Sequence, residues 1–172
     1  MQLTLAQVVE HYRELRQAAY RDTEEVFGHL KVRLRGMTEA DAAEADEWPN
    51  VHGVRCWSWL KGFPHYKKEP KRFDVAITVE GQLCALCVGL PTHGKLTLKL
   101  HVLEGLQVNN PIKGQVIKIV LVAAHAYAAY IGAIQVWLCN PLNETMVSKY
   151  QSAGYVPVRD KSGRVTHMTK ET

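Results

Sequence analysis

The spacing of hydrophobic positions changes several times along the chain, and each change predicts a new element. Residues 4–27 carry apolar side chains every three or four positions, which predicts an amphipathic helix with Thr4 as its cap. Residues 30–35 alternate apolar and basic positions, as in a strand with one solvated face. Residues 38–48 predict a short acidic helix that Pro49 ends.

Strands are predicted in the middle of the chain. Residues 73–80 and 83–90 form two apolar runs around Gly81, which is the signal of a hairpin. Residues 96–108 predict a third long strand that is interrupted at residues 104 and 105. Because a glycine inside a strand pattern often marks a bulge, we expect this strand to kink there.

The most apolar helix is predicted at residues 114–131, and Gly132 ends it. Four shorter elements follow: a strand at 133–139, a helix at 143–153, and strands at 155–158 and 165–168. The order of helices and strands predicts an α/β fold with a mixed sheet.

Composition narrows the class of protein but leaves its function open. A length of 172 residues fits one domain, and 47% hydrophobic with 22% charged residues is ordinary for a soluble globular protein. The first residues lack the pattern of a signal peptide, and polar side chains interrupt the apolar run at 116–136, so we expect no membrane span. The net charge of +4 permits an anionic ligand.

The four cysteines lack the regular spacing of a disulfide framework, so we expect reduced thiols and a cytoplasmic protein. Cys84 and Cys87 form a C-x-x-C pair, but both lie in an apolar strand pattern and no second pair follows at zinc-site spacing. Burial in the core is the favoured interpretation, and no metal is predicted.

Residues 51–71 are irregular, because glycines and prolines interrupt every period there, and we expect a loop with a short element. Basic residues between 61 and 72 lie among aromatic ones such as Trp59 and Tyr66. Such a mixture can bind nucleic acid by stacking and phosphate contacts. A solvated loop that shapes a substrate pocket is the interpretation we favour.

The junction between the third strand and the apolar helix is a candidate site. A strand ending at Val108, a turn at 109–113 and a helix opening at Gly114 would point several backbone amides at one spot. Such a spot attracts phosphate because the helix dipole places partial positive charge there, and Lys113 and Lys118 would add full charges. A simple turn without a ligand fits the same residues.

A second pattern lies downstream, in the helix that begins at Asn143. Its sequence reads Asn143-x-x-Met146-x-x-x-Tyr150-x-x-x-Gly154-Tyr155. Together with the strand, loop, helix and strand before it, this pattern resembles the GNAT superfamily of acetyltransferases, which carries Asn, Tyr and Gly at the same spacing. Residues 33–41 look like the first strand and helix start of that family. The resemblance spans residues 30–158 and leaves the helix within residues 1–29 as an addition.

The resemblance implies a single acyltransferase domain over residues 1–172, with a mixed, mostly antiparallel sheet, helices on both faces and an extra N-terminal helix. It implies acetyl-CoA as co-substrate. The pantetheine arm would lie against the main chain of Leu106, Gln107 and Val108. The pyrophosphate would lie on Lys113, Gly114, Gln115 and Val116. Asn143 would bond the cofactor arm, although capping of its own helix explains this residue equally well.

The predicted phosphate loop departs from the family pattern. The family reads (Q/R)-x-x-G-x-(G/A), whereas this chain reads Pro111-Ile112-Lys113-Gly114-Gln115-Val116. Backbone amides make most phosphate contacts, so the loop can still bind, but the Val116 side chain would have to leave room for the pyrophosphate.

The reaction implied by the resemblance is direct acyl transfer from a thioester to a primary amine, which requires a base and an acid. Tyr150 is the family-matched acid, with packing of its helix as the alternative. Glu104 is the candidate base because it is the carboxylate nearest the predicted kink, with an ordinary turn residue as the alternative. His101 or Glu80 would substitute through water, and His125 is expected to be a packed histidine.

The acceptor amine is open: a small molecule, a protein and an aminoacyl-tRNA all fit. A GNAT-like fold that binds nucleic acid or protein without turnover is the competing hypothesis. Residues 5–27 would supply a homodimer contact, since they lie outside the resembling region.

Overall fold

The computed structural model of the protein describes residues 2–53, 55, 57–94 and 96–172. The strands are β1 (Val32–Arg35), β2 (Phe73–Val79), β3 (Gln82–Pro91), β4 (Thr97–Gly105), β5 (Gln135–Cys139), β6 (Val156–Arg159) and β7 (Val165–Glu171). They form one sheet with the order β1-β2-β3-β4-β5-β7-β6. The β4 and β5 strands run parallel and the other neighbouring pairs are antiparallel, which confirms the mixed, mostly antiparallel sheet.

Helices cover both faces of this sheet, as predicted. They are α1 (Leu5–Val26), α2 (Glu39–Asp46), α3 (Trp59–Lys67), α4 (Val116–Ile131) and α5 (Glu144–Ser152). Residues of α1, α4 and α5 share one hydrophobic cluster with the sheet, and residues of α2 and α3 share a second one on the opposite face. Among the helices in the described ranges, none combines the length and the hydrophobicity needed to cross a membrane.

The extra N-terminal helix is part of the core. Thr4 caps α1 in a reciprocal arrangement with Gln7, so the predicted start of this helix is confirmed. Its buried face, which includes Tyr12 and Ala19, packs in the same cluster as α4. The helix therefore stabilises the fold, since its apolar stripe is removed from water within the chain.

A buried ionic cluster joins α1 to β2. The Asp74 carboxylate is fully buried, and it accepts hydrogen bonds from Arg72 Nε at 2.9 Å and from the Met37 amide at 2.7 Å. Arg16 of α1 lies 3.6 Å from the same carboxylate and is only 5% exposed. Tyr20 donates its hydroxyl hydrogen to the Asp74 carbonyl. Each charge in the cluster thus has a partner, which is the condition for tolerating buried charges.

Three predicted boundaries move. The β2–β3 turn lies at Glu80 and Gly81, one residue earlier than predicted, and both have a positive φ. The α4 helix begins at Val116 rather than at Gly114, because Gly114 has φ 83° and closes a turn before the helix. The last strand, β7, continues to Glu171 instead of ending at residue 168, and it lies between β5 and β6. The sheet therefore extends beyond residue 158, where the resemblance ended.

The irregular region 51–71 contains α3, the short element that the sequence predicted there. Ser58 caps this helix by accepting a hydrogen bond from the Lys61 amide. Val54 and Cys56, which belong to this region, lie outside the described residues.

Candidate active site

The β4 and β5 strands part in the middle of the sheet. They pair from Thr97 with Gln135 to Leu100 with Leu138, over four residues. Beyond that point β4 continues along β3 to Gly105, while β5 continues along β7. The second half of β4 therefore has no partner on the β5 side, and a gap opens at the carboxyl ends of the two strands.

A β-bulge at His101 accompanies this separation. Val88 faces Val102 and Gly89 faces Leu100, so His101 is the extra residue on β4. A Cβ built on Gly89 would lie 2.2 Å from the Lys99 carbonyl oxygen, which explains why glycine occupies the opposite strand. The prediction of a kink at residues 104 and 105 is therefore wrong by three residues: β4 ends at Gly105 instead of bending there and does not reach Val108.

The His101 side chain turns toward α3. Its Nδ1 lies 2.9 Å from the Tyr66 hydroxyl, and no other side chain within the described residues bonds its ring. Burial, with help from the Lys99 charge, lowers the pKa of His101, so the imidazole is neutral at pH 7. A neutral imidazole beside the gap can accept a proton.

The start of α4 offers free amides. Gln115 precedes the helix without a side-chain cap, and within the described chain the amides of Val116, Ile117 and Lys118 have no hydrogen-bond acceptor. The side chains of Lys113 and Lys118 are exposed on either side of this turn. The unbonded amides that the sequence predicted at Gly114 thus begin two residues later, at Val116, and anion binding there stays a prediction.

Val116 is accommodated by Gly105. The two Val116 methyl groups lie 3.4 Å from the position that a Cβ on Gly105 would occupy. The Val116 side chain therefore packs against the end of β4, where the missing side chain of Gly105 leaves space. This placement accounts for a valine at a loop position where the family pattern has Gly or Ala.

Asn110 holds the loop before α4, and the sequence analysis missed it. Its Nδ2 donates to the carbonyls of Cys84 at 3.1 Å and Leu106 at 3.0 Å, and its Oδ1 accepts from the Ile112 amide at 3.1 Å. The Leu106 amide also donates to Cys84. An asparagine in a turn is the available sequence signal, since Asn commonly bonds nearby backbone groups.

Some backbone groups just after β4 have no hydrogen-bond partner within the described chain. Gln107 binds the Val51 amide through its side chain, at 2.8 Å, and Val108 is 39% exposed. The backbone amides of these two residues have no acceptor within the described chain. They are consequently accessible to an extended ligand, whereas the backbone groups of Leu106 are already bonded.

Tyr150 of α5 is buried beneath the sheet. Its side chain is 7% exposed, and its hydroxyl has no hydrogen-bond partner within the described residues. Burial raises the pKa of Tyr150 far above its ordinary value, with a smaller contribution from Cys87. Cys87 also contributes to the raised pKa of Tyr66, on the opposite face. Tyr150 belongs to the hydrophobic cluster beneath α4 and α5 and Tyr66 to the one beneath α2 and α3, so the two side chains lie on opposite faces of the sheet.

Asn143 caps α5, which is the alternative that the sequence left open. Its Oδ1 accepts a hydrogen bond from the Met146 amide at 3.0 Å. Its side-chain amide nitrogen has no partner within the described residues and can still donate to a ligand.

Glu104 lies on the α2 and α3 face of β4, in an ion pair that the sequence did not reveal. Arg55 Nε donates to Oε1 at 2.8 Å, and Trp59 Nε1 donates to Oε2 at 2.8 Å. The Glu104 and Arg55 side chains are 15% and 14% exposed. Both carboxylate oxygens are therefore bonded, and the distance of 49 residues between the partners hides the pair from local patterns.

Other candidate residues of the sequence analysis lie in the core. Cys84 and Cys87 are buried in β3, and burial raises the pKa of both thiols. His125 Nε2 lies 2.7 Å from the Tyr155 hydroxyl, and burial lowers the pKa of His125 to about 4. Within the described ranges, no three His, Cys, Asp or Glu side chains are grouped to hold a metal ion.

Most of the aromatic side chains around α3 pack against the sheet. Trp59 is fully buried, and Phe63 and Tyr66 are buried with it between α3 and the sheet. The neighbouring lysines are exposed, but these three rings are closed to base stacking, and Trp57 is half-buried. This packing favours the interpretation of the region as a wall of a pocket.

Comparisons with known proteins identify the fold. No family model and no curated protein matches the sequence. The structure is similar to an acetyltransferase from Thermus thermophilus, with a TM-score of 0.65, 12% identity, and 83% of this chain and 97% of that chain covered. It is also similar to the PaiA N-acetyltransferase from Thermoplasma acidophilum in complex with coenzyme A, with a TM-score of 0.60, 12% identity, and coverage of 82% and 99%.

A third similar structure is the spermidine N-acetyltransferase SpeG from Vibrio cholerae, with a TM-score of 0.60, 12% identity, and coverage of 82% and 94%. The chain thus has the fold of the GNAT acetyltransferases, as the spacing around Tyr150 predicted. At these identities the comparison defines the architecture of the chain, and the roles of its residues rest on their own geometry.

Proposed function

We propose that the protein is an N-acetyltransferase that transfers the acetyl group of acetyl-CoA directly to a primary amine. The observation that carries this proposal is the gap between β4 and β5, with the unbonded amides of α4 beside the end of β4. The coenzyme A bound to a protein of the same fold supports it. Tyr150 is buried in the hydrophobic cluster on the α4 and α5 face of the same sheet.

Coenzyme A would follow the free backbone groups. Its pantetheine arm would lie along Leu106, Gln107 and Val108 and bond the free amides of Gln107 and Val108, since both backbone groups of Leu106 are already bonded. Its pyrophosphate would lie on the turn formed by Lys113, Gly114, Gln115 and Val116. The helix start and the two lysines supply the positive charge that a diphosphate requires. The side-chain nitrogen of Asn143 would donate a hydrogen bond to the arm, while its oxygen caps α5.

The chemistry would proceed in one displacement. A base removes a proton from the acceptor ammonium, the free amine attacks the thioester carbonyl, and a C–N bond forms as the C–S bond breaks. The attacking nitrogen then releases its second proton to solvent, which leaves the neutral amide. Tyr150 is protonated at neutral pH because its pKa is raised, so it can give its proton to the leaving thiolate. Solvent returns that proton to the phenolate after the products leave.

Two residues are candidates for the base, Glu104 and His101. Glu104 lies on the part of β4 that has no β5 partner, but Arg55 and Trp59 already bond its oxygens. His101 is neutral and extends from the bulge itself. If His101 accepts the proton, the His101→Gln variant loses the acid limb of the pH profile of kcat, whereas Glu104→Gln preserves that limb. The opposite pattern assigns the role to Glu104.

Calorimetry with acetyl-CoA tests the proposed function. We expect micromolar binding that the double variant Lys113→Glu and Lys118→Glu abolishes, because both substitutions place negative charge beside the pyrophosphate. The pair Lys161→Glu and Lys31→Glu, two exposed lysines away from α4, is the charge-matched control. Absence of acetyl-CoA binding by the wild-type protein contradicts the proposal, and salt-sensitive RNA binding in its place would favour a binding module.

A further inference from the structure

One face of the sheet is only half covered. The hydrophobic cluster beneath α2 and α3 takes its strand residues from β2, β3 and β4. On the same face, β5 and β7 present Gln135, Trp137, Cys139, His167 and Thr169, which are all half-buried. The neighbouring positions Val136, Leu138 and Met168 point into the cluster on the opposite face, beneath α4 and α5. A surface with aromatic side chains therefore faces outward beside the gap.

Three side chains form a platform on this surface: Lys99 of β4, Trp137 of β5 and His167 of β7. The Trp137 and His167 rings are stacked with 3.9 Å between centroids and 18° between planes. Lys99 Nζ lies 5.0 Å from the centroid of the Trp137 ring. These contacts combine stacking with a cation near an aromatic face.

Two neighbours on the same face, Gln135 and Thr169, fix the orientation of the Trp137 ring. Trp137 Nε1 donates to Gln135 Oε1 at 3.0 Å, and the Thr169 hydroxyl donates to the same oxygen at 2.9 Å. Such support keeps an aromatic ring in one rotamer, which reduces the entropy lost when a ligand packs against it.

The platform borders the gap. Lys99 pairs with Trp137 one position before Leu100 and Leu138, where the strands part. His167 pairs with Cys139, the last residue of β5. His101 and Tyr66, on the same face, form the other side of the opening. An amine that reaches the gap from this face therefore passes the platform.

The charge of this face disfavours a polycation. Two carboxylates on this face of the described chain are already bonded: Glu104 by Arg55 and Trp59, and Asp46 by the Ser58 hydroxyl and the Trp59 and Leu60 amides. Glu171 is exposed on the same face, but it pairs with Gln135 at the end of β5 away from the gap.

Lys99 makes the local potential positive. Besides burial, its charge contributes to the lowered pKa of both His101 and His167. A ligand that carries a negative group would relieve this potential. His167 and Lys99 already lie over the Trp137 ring, so a ligand ring would contact the exposed edges of Trp137 and His167 in an edge-to-face arrangement beside Lys99.

We propose that the acceptor is a small aromatic amine with an anionic group, whose ring lies against Trp137 and His167 and whose negative charge pairs with Lys99. The inference rests on the proposed function and specifies its acceptor. It separates this chain from the spermidine N-acetyltransferase of the same fold, since spermidine is a polycation without a ring.

A panel of amines tests the inference on the full-length protein with acetyl-CoA. Phenylalanine has the ring, the amine and the anion; cyclohexylalanine lacks the aromatic ring, phenylalanine amide lacks the anion, and spermidine lacks both. We expect kcat/KM for phenylalanine to exceed that for each of the other three by about 10-fold or more, the scale of one lost aromatic or charge contact. The phosphonate analogue of phenylalanine shows whether carboxylate or phosphate is preferred as the anion.

Two variants assign the preference to the platform. Lys99→Glu should reverse the ratio of phenylalanine to phenylalanine amide, and Trp137→Leu should abolish the ratio of phenylalanine to cyclohexylalanine. Lys161→Glu, on an exposed turn, is the control for charge. Retained acetyl-CoA binding and an unchanged thermal midpoint show that each variant is folded.

The outcomes separate the two proposals. If acetyl-CoA binds but spermidine is the better acceptor, or if neither phenylalanine nor its phosphonate is acetylated, the acceptor class is wrong while the proposed function stands. If acetyl-CoA does not bind, the function is wrong, and calorimetry with phenylalanine alone decides about the platform. If phenylalanine binds and Lys99→Glu removes that binding, the platform is retained as a binding site. If phenylalanine does not bind, the platform proposal is overturned.

Discussion

The sheet has a closed half and an open junction, which differ in how fully their polar groups are bonded. In the closed half, β1 to β4, the strands pair along their length and Asp74 is enclosed by Arg16 and Arg72. At the junction of β4 and β5, pairing stops after Leu100, and within the described residues the Tyr150 hydroxyl has no partner. Stability is thus concentrated in the closed half, whereas unbonded groups at the junction remain available to a ligand.

The largest effect is expected in the closed half, for Asp74→Ala. Removal of the buried carboxylate leaves Arg16 and Arg72 without their counter-charge, which should lower the free energy of unfolding by about 3 to 5 kcal/mol. Urea denaturation measures this loss. The matched control is Glu39→Ala, which breaks an exposed ion pair with Lys67 and should leave the free energy of unfolding nearly unchanged, because solvent screens exposed pairs. Equal losses in the two variants would contradict a special role for the Asp74 cluster.

The second prediction concerns the junction, where Tyr150→Phe should affect rate but not stability. Loss of a general acid lowers kcat by about 100-fold or more, equivalent to roughly 2.7 kcal/mol. The unfolding free energy should stay within about 0.5 kcal/mol, because the hydroxyl makes no hydrogen bond within the described chain. An unchanged kcat with the acceptor proposed above would limit Tyr150 to packing.

A third substitution, Gly89→Ala, lies on the border between the two regions. The new methyl group would collide with the Lys99 carbonyl, so the bulge must shift, at a cost of about 1 to 3 kcal/mol in stability. Because the same shift moves His101, acetyl transfer should fall as well. Gly28→Ala is the control, since a Cβ there meets no atom within 4 Å. A variant of Gly89 with normal stability and rate would refute the steric origin of the bulge.

The smallest effect is a pH dependence of stability from His125. Its pKa in the folded protein is about 4, below the ordinary value near 6.5, so the unfolded chain binds a proton more readily between these values. Stability should therefore decrease as the pH falls from about 6.5 to 4, by at most about 2 kcal/mol after allowance for partial exposure of the ring. Denaturation midpoints of the wild type and His125→Gln across this range measure it, and the variant should lose that slope.

The elements that sequence patterns predicted well are those fixed by local interactions. Thr4 and Asn143 cap their helices with the amides three residues ahead, so the signal and its effect lie in the same turn. The spacing of Tyr150 and Gly154 likewise belongs to one helix and its end. Such features need no knowledge of the rest of the fold.

The candidate site was predicted less completely because its geometry comes from distant segments. Gly105 suggested a bulge, yet the glycine that permits the bulge is Gly89 on the neighbouring strand, and Gly105 instead makes room for Val116. The pairing of Glu104 with Arg55 joins positions 49 residues apart. Periodicity reports which residues share a face, but it does not report which strand or loop lies opposite.

The hydrogen bonds from α1 to the residues just before β2 have a practical consequence. Arg16 donates to the carbonyls of Pro70 and Arg72 at 2.8 and 3.2 Å, so the guanidinium satisfies main-chain oxygens as well as the Asp74 charge. Shortened versions of the chain that start after α1 would expose these carbonyl acceptors together with an apolar stripe on α4. They are expected to aggregate during expression. Purification handles belong ahead of Thr4, where Leu3 is 63% exposed.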